Sequence, residues 1–80
     1  MEGYKYIDEI HELKIGRYLK WKKGTKWNGG FIVKVNIESN GTIIICKKGI
    51  YFVSVRMDEH ELYQKLSLDE QLIKKIEELF

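Results

Sequence analysis

Apolar and polar residues alternate through most of the middle of the chain. Leu13, Ile15, Leu19 and Trp21 recur with the period of a half-buried strand, which predicts a strand over 13–21 with these four on one face. Phe31, Val33, Val35 and Ile37 repeat the pattern in a run rich in β-branched residues and predict a second strand. Between the two, Lys22 to Gly30 is polar and broken by Gly24, Gly29 and Gly30, so it reads as a loop. Asn40-Gly41 is a hairpin signal, Thr42 to Cys46 the returning strand, Lys47-Lys48-Gly49 a second tight turn, and Ile50 to Val55 the last strand.

Toward the C-terminus the period changes. Ser67-Leu68-Asp69-Glu70 fits a capping box, in which the Ser67 hydroxyl accepts from the Glu70 amide while the Glu70 carboxylate reaches back. Behind it Leu72, Ile73, Ile76, Leu79 and Phe80 share one helical face, predicting a helix over 68–79. Asp58 and Glu61 repeat the capping spacing and suggest an earlier helical turn within 58–66. In Tyr4 to Glu12, apolar Tyr4, Ile7 and Ile10 alternate with acids, and a short helix is favoured over a strand. The expected fold is α+β and mainly β. A small antiparallel, four- to five-stranded barrel-like sheet over 13–57 is followed by a C-terminal amphipathic helix within 67–80, in a single domain over 1–80. Eighty residues are too few for two cores.

Composition adds limits. No apolar run approaches the roughly 20 residues of a membrane span, and the charged N-terminus lacks a signal-peptide pattern. The single cysteine, Cys46, has no partner for an internal disulfide, which points to a reducing intracellular compartment, cytoplasmic or nuclear. The net charge of +2 conceals a segregation. From Leu13 to Met57 ten Lys and Arg face one acid, Glu38, a balance of +9, while the flanks together carry −7. Such a block is a cationic binding face, or else it is complemented by the acidic flanks.

Ile15-Gly16, Trp21, Gly24, Trp27, Gly30-Phe31-Ile32, Gly41-Thr42-Ile43-Ile44 and the turn at Gly49 together resemble Src-homology-3-like small barrels, the Tudor type in particular. The resemblance covers about half the chain and implies a barrel. Tudor domains hold methylated lysine or arginine in aromatic cages, and Trp21 and Trp27 match two cage positions. Where the family places its other aromatics, this chain has Cys46 and Lys47-Lys48-Gly49, whose lysines would repel a cationic ligand. The likeness therefore implies the barrel more than the cage. The stretch Gly29-Gly30-Phe31-Ile32-Val33-Lys34 is also similar to short uncharacterised proteins of large DNA viruses, which would allow a virion component.

Catalytic chemistry is not assembled by any motif. His11 and His60 each sit among glutamates without the i, i+4 spacing that places two metal ligands on one helical face. Cys46 lies in an isoleucine run and reads as a core thiol, although neighbouring lysines would also lower its pKa if it were accessible. The glycine-rich segment 24–30 leads into a strand, not into the helix N-terminus of a phosphate-binding loop. A non-enzymatic protein with no cofactor or metal is expected.

The constellation with chemical content is Arg17, Lys20, Lys22, Lys23, Lys26 and Trp27, extended by Lys47 and Lys48. Lysines interleaved with aromatic rings suit nucleic acid, since the cations neutralise phosphates and exposed rings stack on bases. Trp21 is expected to be buried with Leu19, and Trp27 stands between core and surface. The leading expectation is low-specificity nucleic-acid binding. The alternative is protein interaction or assembly, in which the basic face meets an acidic protein or the helix face of Leu72, Ile76, Leu79 and Phe80 docks on a partner, a homodimer included.

Overall fold

Two strands from outside the predicted β-region join the central meander. In the computed structural model, which describes residues 2–80, the strands are β1 (Tyr4–Ile7), β2 (Tyr18–Lys23), β3 (Lys26–Glu38), β4 (Gly41–Lys48), β5 (Tyr51–Arg56) and β6 (Glu61–Lys65). They form one open antiparallel sheet in the order β1-β6-β2-β3-β4-β5. Six strands thus replace the expected four or five. Helix α1 (Leu68–Leu79) follows β6, with Ser67 and Glu70 forming the reciprocal capping box that the spacing predicts.

The core is built from one face of this sheet. Ile7, Leu19, Trp21, Ile32, Ile44, Cys46, Val55 and Leu62, drawn from all six strands, form a single buried cluster. A flat sheet would leave such a face in water, and α1 buries none of its residues. The bending of the sheet, together with the segments that carry Leu13 and Met57, therefore has to cover this face. The 13-residue β3 makes this geometry by pairing with β2 through its first half and β4 through its second. A bulge between Ile32 and Lys34 interrupts the pairing with β4.

That bulge corrects the predicted inward set of the second strand. Ile32 is fully buried, whereas Phe31, Val33 and Ile37 are exposed and only Val35 is partly buried against the core. One extra residue in a period of two reverses which neighbours point inward. The strand predicted from Leu13 begins instead at Tyr18, because the chain turns at Gly16 (φ 91°) and leaves Ile15 in solvent. The predicted loop 22–30 is mostly strand. Only Gly24 and Thr25 connect Lys23 to Lys26, and a positive φ at Gly24 alone marks a tight type II′ hairpin.

The flanks also differ from expectation. Tyr4–Ile7 is a strand and Ile10–Glu12 a short 3₁₀ turn, where a helix was favoured. Within 58–66 only Asp58 and Glu59 are helical, as the end of the 3₁₀ turn Met57–Glu59, and β6 follows it into the sheet between β1 and β2. Buried Gln64 pins the intervening chain: its Oε1 accepts from Lys14 N at 2.8 Å and its Nε2 donates to Glu12 O at 3.0 Å.

Candidate functional site

Turning one face of β1, β6, β2 and β3 to the core sends the alternate residues outward. Cross-strand register sets Tyr6 opposite Tyr63, Tyr63 opposite Lys20, and Lys20 opposite Gly29. Beside that row, Lys22 pairs with Trp27 and Tyr4 with Lys65. On the other side, Tyr18 pairs with Phe31, Phe31 with Lys47, and Lys47 with Phe52. The outer face is thus an alternation of rings and lysines.

The rings touch in two groups. Trp27 reaches over β2 to Tyr63 with centroids 5.5 Å apart, and Tyr63 meets Tyr6 at 5.4 Å. Tyr18 and Phe31 pack edge-to-face at 5.0 Å. Trp27, Tyr6 and Phe31 keep 45%, 51% and 53% of their surface in solvent, so they are packed at one side and open at the other. Lys20 stands 4.9 Å and Lys65 5.1 Å above the Tyr4 ring, and Lys22 lies 5.5 Å from Trp27. Between the ring groups is an open hollow lined by Tyr18, Lys20, Trp27, Asn28, Gly29 and Lys48.

The acidic flanks leave most of this face alone. Glu70 takes Arg17 (2.6 Å) and Lys14 (3.1 Å), and Arg17 also donates to the Lys65 carbonyl. Hydrogen bonds from the Ser67 backbone, Arg17 and Lys14 hold the Glu70 carboxyl at about 2. Glu59 takes Lys23 at 3.6 Å and Arg56 at 2.8 Å, and Glu12 pairs with Lys5. Among the described residues no carboxylate lies within ion-pair distance of Lys20, Lys22, Lys26, Lys34 or Lys47. The one acid in register with the patch is Glu61, opposite Lys22 at its rim.

Of the residues singled out in the sequence, Lys20, Lys22, Trp27 and Lys47 share the outer face. Lys23 and Lys26 flank the adjoining hairpin turn. Lys48 donates to Asn28 Oδ1 at 2.8 Å at the edge of the hollow, while Arg17 is turned away to Glu70. Trp21 is only 6% exposed, so it offers no ring face to a ligand. Leu72, Ile76, Leu79 and Phe80 line an exposed stripe on α1. Burial pushes the Cys46 thiol up to about 11, which keeps it a neutral core group.

Sequence reasoning missed Tyr4, Tyr6, Tyr18, Phe31 and Tyr63. The spacings Tyr4/Tyr6, Tyr18/Lys20/Lys22 and Tyr63/Lys65 carry the signal, because each is an i, i+2 repeat of amphipathic residues on a strand. No helix is long and apolar enough to cross a membrane. Compared with known proteins, the chain matches no family model, no curated protein and no solved structure.

Proposed function

We propose that this protein is a non-enzymatic nucleic-acid-binding module that uses the outer face of β1, β6, β2 and β3, with low sequence specificity. One observation carries the reading: half-exposed rings alternate with lysines that form no ion pair with a carboxylate among the described residues. Lysines alone would suit any polyanion. Rings with one open side add a surface that matches base faces. Lysine contacts to phosphate position a ligand without reading its bases, which is the basis for low specificity. The barrel is part of the same proposal, since a curled sheet with a long bent strand shared between its halves is how small barrels are made.

Oligonucleotide affinity measured between about 50 and 200 mM salt tests this reading, because release of counterions from several phosphates makes affinity fall steeply with salt. Lys20→Ala and Lys22→Ala should each weaken binding and flatten that slope. Absence of binding at the low-salt end would end the proposal.

Protein interaction or assembly is the second reading, favoured by the uncovered apolar stripe of α1. It ranks second because the stripe carries no chemistry that names an occupant. An acidic protein on the sheet face would satisfy the lysines and leave the rings without a counterpart. Light scattering on nuclease-treated protein separates the two: a stable oligomer free of nucleic acid favours assembly.

A further inference from the structure

We infer that the preferred ligand is single-stranded, and that one unpaired base sits in the hollow between the Trp27 and Tyr18 rings. This rests on the nucleic-acid reading and narrows it to a strand form and a seat. A duplex presents phosphates and hides its base faces, so it can engage only the lysines. An unpaired strand can also place bases on rings, and this face has rings to receive them.

The hollow has the parts such a seat needs. Gly29 supplies no side chain, and the Tyr18 ring lies over its backbone, so the hollow is walled by rings and not filled by a side chain at position 29. Trp27 bounds it on one side and Tyr18 on another, while Lys20 and Lys48 stand at its margin, placed for the phosphates on either side of a seated base. The Trp27–Tyr63–Tyr6 train continues from the hollow across β2 and β6 to β1, a track for neighbouring bases.

The decisive comparison uses three labelled ligands: a thymidine strand of about 12 nucleotides, within the site size of a small β-domain, an abasic strand of equal phosphate count, and a duplex of equal length. The thymidine strand should bind about five- to hundredfold more tightly than the abasic strand, the range that stacking on a ring supplies. It should also quench tryptophan fluorescence from exposed Trp27, since Trp21 is buried. Trp27→Ala should bring the affinity for the thymidine strand close to that for the abasic strand. Equal affinity for thymidine and abasic strands would overturn the base seat and leave the electrostatic reading standing. Full retention of the difference in Trp27→Ala would also overturn it. Failure of all three ligands to bind would overturn both.

Discussion

The phenol ring of Tyr18 lies on the bare backbone of Gly29. A Cβ at position 29 would stand 2.8 Å from the ring's Cζ and 2.9 Å from Cε2, closer than such atoms approach. Gly29→Ala must therefore displace the ring, which also packs on Phe31. The expected loss is about 1–3 kcal/mol, as for other overpacking changes. Urea denaturation of Gly29→Ala, Tyr18→Leu and the double variant checks it: the penalty should largely vanish in the Tyr18→Leu background.

The capped first turn of α1 is tied to the sheet through Glu70, and this tie depends on pH. Its folded-state pKa of about 2 lies below the ordinary value of 4.5, so its stabilisation is fully present above about 4.5 and is lost as pH falls toward about 2. The carboxylate is a third exposed, and solvent screening reduces the contribution to about 1 kcal/mol. Protection of the α1 amides, referred to their intrinsic exchange rates at each pH, should therefore fall between about pH 4.5 and 2 while the sheet core is less affected. Glu70→Gln should show the lower protection already at neutral pH and little further loss on acidification.

Trp21 and Trp27 should separate stability from binding. Trp21 lies in the core cluster, so Trp21→Ala should lose about 3–5 kcal/mol. That is a large share of the roughly 5–15 kcal/mol that holds a domain folded. Trp27→Ala removes an exposed ring whose packing contact is Tyr63, and should lose about 0.5–1.5 kcal/mol. Thermal melts of both variants test the contrast.

Cys46 should be silent to thiol reagents. It is fully buried and its thiol is raised to about 11, so little thiolate exists near neutral pH. Labelling in native buffer should be slow and limited by unfolding, and rapid in denaturant. Prompt native labelling would show that β4 opens to solvent.

The features legible in the sequence were those with local causes. The Ser67–Glu70 box and the apolar period behind it gave α1 its observed limits, because a helix start is decided within four residues. The hairpins at Asn40-Gly41 and Gly49 follow from residues that tolerate tight turns. Leu19 and Trp21 point inward as the alternation requires. Most of the outer face of rings and lysines was not legible. Its lysines and Trp27 were visible as a cluster, but Tyr6 and Tyr63 are 57 residues apart in the numbering and meet only because β6 inserts between β1 and β2.

The amino-acid sequence by itself determined a β-rich chain with a capped C-terminal helix, a thiol in the core and a basic middle. Tertiary structure decided which side of that middle faces water and what stands there. The bulge between Ile32 and Lys34 reverses the inward set of β3. Pairing across the sheet gathers rings from β1, β2, β3 and β6 around Lys20 and Lys22. The physical reason is that a strand's period of two records only that its faces differ. Which face is buried, and which distant strand lies beside it, depends on registers that form when the sheet curls over its own core.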